Sequence, residues 1–146
     1  MYLAVFIDLF SRQVVGWALS RSLDHGLVLK ALERARQKRK PEPGLMIHSD
    51  RGVQYACTGF RQVLKRYGYV QSMSRKADCW DNAAAESFFH LLKSELIYHY
   101  AWYGYADVHA ALFEYIELFY NRERTHSTLG YLTPVDFEQQ ALKIAA

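Results

Sequence analysis

Two carboxylates, Asp50 and Glu86, are the residues of this sequence best placed to do chemistry. Asp50 ends an apolar run that reads as a strand, Glu86 lies near the start of a predicted helix, and residues 51–85, 35 in all, separate them. Ligands often bind at the carboxyl ends of strands in α/β sheets, so the two acids can converge at one sheet edge. Both are ionised at neutral pH and suit Mg²⁺, which also binds phosphate oxygens. The pair indicates a metal site for a phosphodiester, where two ions could activate a nucleophile and stabilise a leaving oxygen.

The helix with Glu86 also carries two potential cations on the same face. His90 and Lys93 follow by four and seven residues, the spacing of neighbours on a helix surface. A phosphate backbone lying along that face would meet both the acid and the cations. A basic turn, Arg75-Lys76, precedes the helix. On spacing alone, an ordinary i,i+4 surface pair on an amphipathic helix is the favoured interpretation.

Other polar and aromatic residues near these positions have more ordinary interpretations. His48 could be a ligand, but a histidine on a strand is more often packed or solvent-facing. Asp8 ends the first predicted strand before a polar turn, which favours an acid that stabilises the turn. Trp17 and Trp80 could stack on bases, although tryptophan in a domain of this size usually packs in the core or at its rim.

The hydrophobic pattern predicts a mixed α/β order of elements. Asp24 is a plausible N-cap for the first helix, and Thr133-Pro134 is a start signal for the last one. The predicted elements are hairpin strands at 2–8 and 13–20, a helix to about residue 40, a strand at 45–48, a short helix from 58, a strand at 70–73, the Glu86 helix to about 98 and a helix at about 106–123.

The first predicted helix ends in a dense run of cations, namely Arg34, Arg36, Lys38, Arg39 and Lys40. Cations at a helix C-terminus complement the helix dipole, so a solvated basic face is the simpler interpretation. Contact with DNA is the alternative.

Length and composition indicate one globular domain. The chain has 146 residues, 51% of them hydrophobic, and a formal charge of +3 that permits a nucleic-acid partner without requiring one. Cys57 and Cys79 form no zinc motif. The apolar opening, interrupted by Asp8, is too short to span a bilayer and is unlike a signal peptide. We expect a cytoplasmic protein that does not enter a membrane.

Three runs in a fixed order carry a family resemblance: HSDRGVQY, SMSRKADCWDNAAAESFFHLLKSE and YNRERTHSTLGYLTPVDFE. Together they resemble the catalytic core of DDE transposases of insertion sequences, the bacterial family whose second reading frame is similar to retroviral integrase. The opening YLAVFIDLFSRQVVGWALS resembles the hairpin of the same family, so the resemblance covers essentially the whole chain. It implies a ribonuclease H-like mixed sheet flanked by helices, and a triad of two aspartates and a glutamate that binds Mg²⁺ or Mn²⁺.

The resemblance assigns roles to individual residues. Asp50 matches the second aspartate of the triad, and Glu86 matches its glutamate. Lys93 matches a lysine that faces DNA in related integrases, and His90 stands where those proteins have another basic residue. The basic turn before the helix would help to position DNA.

One family residue has no match here. The first catalytic aspartate of the family sits on a strand upstream of Tyr2, and Asp8 aligns with a later position. That strand is central in ribonuclease H-like sheets, so we expect a sheet that lacks it and exposes two edges. Ala77 stands where the family has glycine, which would stiffen the turn. The expected organisation is a single N-terminally truncated core over residues 1–146, with 121–146 as its C-terminal tail.

The implied function is DNA transposition, by metal-dependent cleavage at transposon ends and attack of the freed 3′-hydroxyl on target DNA. We expect this stretch alone to be inactive or severely impaired, with a two-metal site only where the upstream aspartate is supplied. Two alternatives stay open: a non-catalytic DNA-binding or dimerising remnant that modulates an intact transposase, and a stand-alone metal-dependent nuclease. Expected partners are DNA, further copies of the chain, and a helix-turn-helix region upstream or on a partner protein.

Overall fold

The computed structural model describes residues 1–49, 58–73 and 83–145, and strands and helices alternate in its first half. The predicted mixed α/β layout is confirmed. In chain order the elements are β1 (Tyr2–Ile7), β2 (Val14–Ser20), α1 (His25–Arg39), β3 (Met46–Ser49), α2 (Thr58–Tyr67), β4 (Val70–Met73), α3 (Ala83–Glu95), a 3₁₀ turn (Ile97–His99), α4 (Tyr105–Phe113), a π-helical segment (Glu114–Tyr120), a second 3₁₀ turn (Ser127–Leu129) and α5 (Pro134–Ala145).

The chain forms two compact units. The first contains Met1–Phe6 and Val15–Phe88, and the second contains Ile7–Val14 and Phe89–Ala146. In the ranges described, no helix is long and apolar enough to cross a membrane.

The hairpin of β1 and β2 turns on Asp8, as its position at the end of an apolar strand predicts. The carboxylate of Asp8 accepts hydrogen bonds from the backbone N–H groups of Phe10, at 2.8 Å, and Ser11, at 3.3 Å. The backbone N–H of Asp8 donates to the carbonyl of Gln13 at 2.9 Å and closes the turn. Asp8 therefore has a structural role here, which agrees with its assignment as a turn-stabilising acid.

Helix α1 begins at a side-chain cap and ends at a left-handed residue. Asp24 accepts a hydrogen bond from the backbone N–H of Leu27 at 3.1 Å, so the predicted N-cap is confirmed. Lys40, with φ of 46°, ends the helix and donates its backbone N–H to the carbonyl of Arg36. One face of α1 is buried and contains Leu27, Val28, Ala31, Leu32 and Ala35.

Glycine is required where β2 meets α1. A Cβ atom on Gly16 would lie 2.4 Å from the carbonyl oxygen of Ala31 and 2.6 Å from the backbone nitrogen of Ala35. Both are backbone atoms, which cannot move aside without shifting the helix. The absence of a side chain on Gly16 thus fixes how closely the helix packs on the strand.

Strands β3 and β4 are parallel and joined by α2. Their register runs from Met46 opposite Val70 to Ser49 opposite Met73, so both strands end at the same edge. The core of the first unit is shared by both strand pairs and by α1 and α2. Its members are Ala4, Ala18, Leu27, Val28, Ala31, Leu32, Ile47, Phe60, Leu64 and Tyr69.

Within the described strands, β1–β2 and β3–β4 are two separate two-stranded sheets. The resemblance predicts a mixed sheet without its central strand, which would lie between β1 and β3. The two pairs share one core, and among the described strands no ladder of hydrogen bonds joins them. The absence of the central strand stays a prediction.

The second unit is built on the π-helical segment that continues α4. Leu112 near the end of α4, and Ile116 and Tyr120 in the π-helical segment, are buried and form part of the core of the unit. The predicted helix at about 106–123 is therefore present, but its second half is wound more widely than an α-helix.

Residues 121–146 pack on the hairpin turn of the same unit. The hydroxyl of Ser11 donates a hydrogen bond to the carboxylate of Glu138, and the rings of Phe10 and Phe137 lie 4.9 Å apart. Helix α5 begins at Pro134, after Thr133, as the sequence predicts. The hydroxyl of Thr133 accepts a hydrogen bond from the backbone N–H of Asp136 at 3.1 Å.

Candidate metal and DNA-binding site

Glu86 lies in the first turn of α3 and points away from the core. Ala84, Phe88 and Leu92 recur at four-residue spacing and are buried, whereas Glu86 is exposed. A carboxylate in the first helical turn is stabilised by the helix dipole. Its exposure leaves it able to meet a ligand from solvent.

His90 and Lys93 are also exposed on α3. Because the helix is regular from Ala83 to Glu95, their spacing from Glu86 places the three side chains on one face, opposite the buried residues. The shared face predicted from the sequence is thus present. The roles of these residues toward a metal and DNA stay predictions.

Asp50, Arg75 and Lys76 lie outside the described residues. Strand β3 ends at Ser49, directly before Asp50 in the chain, and β4 ends at Met73, shortly before the basic pair. The parallel register brings these two strand ends to the same edge. Asp50 therefore follows a strand at its carboxyl end, as the sequence predicts.

His48 has an unusual environment on β3. Its Nδ1 atom is buried and has no hydrogen-bond partner among the described residues. The side chain as a whole is half-buried, opposite Ser72 in the parallel register. The expectation of a packed or solvent-facing histidine is met only in part, because a buried, unpaired ring nitrogen is rare.

The donor chemistry suits a hard divalent cation. Glu86 offers an exposed carboxylate, and oxygen donors of this kind are what Mg²⁺ and Mn²⁺ prefer. Among residues 1–49, 58–73 and 83–145, no group of three or more His, Cys, Asp or Glu side chains could hold a metal ion. Of the two predicted ligands, Glu86 lies in the described part of the chain and Asp50 lies outside it, and the role of both toward a metal stays a prediction.

A polar cluster follows the site helix, and sequence reasoning missed it. Glu95, the last residue of α3, accepts hydrogen bonds from the hydroxyl of Tyr115 and from Nε of Arg124, each at 2.7 Å. Burial and the bond to Glu95 raise the pKa of Tyr115, which stays a neutral donor. Arg124 also donates to the carbonyl of Thr125 at 3.1 Å. The cluster ties the end of α3 to the segment after the π-helix.

A second set of buried groups lies close to this cluster. Burial raises the pKa of Tyr120 to about 12. The ring of His126 meets that of Tyr120 edge-on, with 4.9 Å between ring centres. His126 is 8% exposed, and its Nε2 atom has no hydrogen-bond partner in the described ranges. The sequence run YNRERTHSTLGY contains Tyr120, Arg124 and His126, but no pattern in the sequence identifies the residues that they contact.

The chain matches two models of a known protein family. A family model described as "Integrase core domain" matches residues 1–79, and a second model with the same description matches residues 86–142. The chain belongs to the integrase core domain family. The matches include both Asp50 and Glu86.

Curated relatives are transposases of insertion sequences. The chain is 43% identical over 139 residues to the transposase of insertion sequence element IS904 from Lactococcus lactis, covering 95% of this chain and 55% of that protein. It is 44% identical over 142 residues to transposase InsF of insertion sequence IS3fB from Escherichia coli, covering 97% of this chain and 49% of the relative. The chain spans about half the length of the curated relatives it matches. The family resemblance read from the three sequence runs is confirmed.

Solved structures share the fold. The catalytic core domain of BIV integrase superposes with a TM-score of 0.69 at 16% identity, covering 98% of this chain and 88% of that one. A chain in the structure of the simian T-cell lymphotropic virus intasome, solved in complex with PP2A regulatory subunit B56 gamma, gives a TM-score of 0.69 at 15% identity, covering 92% of this chain and 47% of that one. The integrase core therefore has the predicted ribonuclease H-like fold.

Proposed function

We propose that this integrase core belongs to a transposase that cuts and joins DNA with divalent metal ions. The observation that carries the proposal is the exposed acid-and-cation face of α3, which Glu86 begins, in a chain 44% identical to insertion-sequence transposases. The chain spans about half of those relatives, so the activity of the whole relatives is carried over to it here as a proposal.

Each site residue has a proposed role. Asp50 and Glu86 hold Mg²⁺ or Mn²⁺, which when bound supplies charge to activate a nucleophile and stabilise the leaving oxygen. Lys93 and His90 neutralise phosphate along α3, and the basic pair Arg75-Lys76 holds the DNA before it reaches the helix. The lysine serves as a point charge, so it fits a phosphate without reading sequence.

The isolated 146 residues are expected to cleave and join DNA poorly. The family resemblance assigns the first aspartate of the triad to none of these residues, and we propose that a site with one carboxylate fewer holds two cations less tightly. DNA retention without metal dependence would instead favour a non-catalytic DNA-binding or dimerising module. Cleavage without joining would favour a stand-alone nuclease.

Further copies of the chain are the proposed protein partner. Phe113 and Leu118 are 48% and 49% exposed on the helical segment of the second unit, where an apolar interface between copies would cover them. A helix-turn-helix region, upstream or on a separate protein, is proposed to recognise the transposon ends. We propose that the complex works in the cytoplasm.

The decisive experiment uses a chimera in which residues 1–146 replace the matching half of the E. coli InsF relative. Strand transfer is measured with insertion-sequence end DNA in Mg²⁺, in Mn²⁺ and in EDTA. We expect metal-dependent joining that Glu86→Gln lowers at least about 100-fold, because a neutral amide is a poor ligand for hard cations.

The matched control is Glu114→Gln, which removes an exposed carboxylate elsewhere and should leave joining unchanged. Full activity in the Glu86→Gln chimera would refute the site assignment. Binding of Mn²⁺ to residues 1–146 alone, followed by paramagnetic resonance, gives a second readout that does not depend on turnover. It should weaken in Asp50→Asn and in Glu86→Gln.

A further inference from the structure

Charge is distributed unevenly along the chain. Residues 30–68 contain ten Lys or Arg against three Asp or Glu, a formal charge of +7. The remaining residues contain eight Lys or Arg against twelve Asp or Glu, a formal charge of −4. The formal net charge of +3 for the whole chain is the sum of these two opposite values. A surface of one sign attracts an opposite polyion whatever the net charge of the molecule.

The fold brings the C-terminal ends of α1 and α2 together. The hydroxyl of Tyr67 donates to the carboxylate of Glu33 at 3.4 Å, and the guanidinium carbon of Arg36 lies 4.6 Å from the centre of the Tyr67 ring. Just past both helices, the N–H of Gly44 donates to the carbonyl of Gly68 at 2.8 Å. Five exposed cations from the two ends share this surface, which we call the basic pole: Lys38, Arg39, Lys40, Lys65 and Arg66.

Helix dipoles account for only part of this charge. Each helix C-terminus carries roughly half a negative charge, so two ends supply about one against five cations. The guanidinium of Arg36 donates hydrogen bonds of 2.6 and 3.0 Å to the carboxylate of Glu33, and these bonds lower the pKa of Glu33. The Glu33 carboxylate is therefore already paired within α1. Glu42 is the one other carboxylate between residues 30 and 49. Lys40, Lys65 and Arg66, all exposed, by themselves carry more positive charge than the two helix dipoles offset, so the basic pole is more positive than stabilising the two helix ends requires.

We propose that the basic pole is a second DNA-binding surface, which holds the phosphate backbone of duplex DNA without reading its sequence. Its cations are mostly lysines, which bind phosphate as point charges. Arg36 lies over one face of the nearby Tyr67 ring and the Tyr67 hydroxyl is bonded to Glu33, so this ring is engaged within the protein rather than presented to unpaired bases. The chemistry thus favours a duplex backbone over a single strand.

This inference rests on the proposed function, since it supposes a protein that acts on DNA, but it does not involve the metal site. Binding is therefore measured in EDTA, with a duplex of about 30 base pairs unrelated to any transposon end, over a series of salt concentrations. Each phosphate contact contributes about −0.9 to the slope of log affinity against log salt. A variant that loses two contacts should lose about 1.8 from that slope.

Lys65→Gln with Arg66→Gln is the test variant, and Arg122→Gln with Lys143→Gln is the control. Both pairs remove two exposed cations, and both include a lysine in the last turn of a helix. We expect the test variant to bind the duplex on the order of tenfold more weakly at 0.1 M salt, with the shallower slope, and the control to bind like the unaltered chain. Equal losses of affinity in both variants would show that duplex binding depends only on the net charge of the chain, and this would overturn the proposal.

A second measurement needs no substitution. The unaltered chain is acetylated with and without duplex DNA, and modification is read by mass spectrometry. Lys40 and Lys65 should be protected at least about threefold by DNA, whereas Lys143 should not. Unprotected Lys40 and Lys65 would overturn the proposal, as would protection by vesicles of anionic lipid but not by DNA. Loss of joining in the Glu86→Gln chimera, with this protection intact, would separate the two DNA surfaces.

Discussion

The side-chain amide of Asn121 pairs with both backbone polar groups of Val14, across 107 positions of the chain. Its oxygen accepts a hydrogen bond from the Val14 N–H at 2.9 Å, and its nitrogen donates to the Val14 carbonyl at 3.0 Å. Both residues are almost fully buried. An asparagine amide thus replaces a neighbouring strand at the first residue of β2 and satisfies backbone groups that water cannot reach.

Replacing this amide should destabilise the fold strongly. Asn121→Leu leaves the N–H and carbonyl of Val14 buried without partners, at a cost of roughly 1–3 kcal/mol for each group. We therefore expect the free energy of unfolding in urea to fall by about 2–5 kcal/mol. Hydrogen exchange of the Val14 amide should accelerate as well. Arg122→Leu, at the exposed neighbouring position, should change either measurement little, and an equal loss there would contradict this account.

Local signals predicted most elements of the fold. Asp24 begins α1 and Pro134 begins α5, as their capping chemistry indicates, and β4 has the predicted bounds. These features depend on residues within one turn of each other, which a sequence displays directly. The bond between Asn121 and Val14 depends on two distant positions, and no periodicity reports such a pair.

The candidate site was predictable to a similar extent. The helix of Glu86 and its shared face with Lys93 follow from spacing along one element, and the structure contains both. The contact between Glu95 and Arg124, 29 positions apart, was not foreseen, nor was the π-helical winding before it. The first joins two distant positions of the chain, and hydrophobic periodicity does not distinguish a π-helical from an α-helical segment, so the sequence displays neither.

A side chain at Gly16 should disrupt the packing of α1 on β2. Gly16→Ala would place a methyl group well inside contact distance of the backbone of Ala31 and Ala35. We expect a loss of about 1–3 kcal/mol in the free energy of unfolding, with a lower melting temperature. Gly104→Ala is the control, because no atom lies within 4 Å of its added Cβ. A change beyond about 0.5 kcal/mol in the control would show that lost glycine, rather than the close contact, matters.

The bond between Glu95 and Arg124 should contribute measurable stability. Both side chains are about three-quarters buried, at 28% and 25% exposed, so solvent screens the pair weakly. A double-mutant cycle with Glu95→Gln and Arg124→Met, followed by urea unfolding, should give a coupling of about 1–2 kcal/mol. The ion pair between Glu33 and Arg36 is the comparison. Its side chains are 40% (Glu33) and 33% (Arg36) exposed, and its coupling should be clearly smaller. Equal couplings would contradict this reasoning.

His126 should make the stability of the chain depend on pH. Burial, with a contribution from the nearby Arg124 charge, lowers the pKa of His126 below its ordinary value of 6.5. The unfolded chain therefore takes up a proton at a higher pH than the folded chain does, and stability rises with pH wherever the unfolded state binds more protons. The stabilising contribution is fully present above about pH 6.5 and is lost as the pH falls toward the lowered pKa of the folded state.

The measurement is urea unfolding between pH 8 and pH 5, on the unaltered chain and on His126→Gln. Glutamine cannot be protonated in this range, so the variant should lose part of the fall in stability below pH 6.5, although it is less stable at pH 8. His99→Gln is the control, because it replaces an exposed histidine whose ring contacts the carbonyl of Ser94 at 2.7 Å rather than being buried as His126 is. It should keep the full pH dependence. Identical pH profiles for the unaltered chain and His126→Gln would show that His126 takes up its proton equally easily in both states.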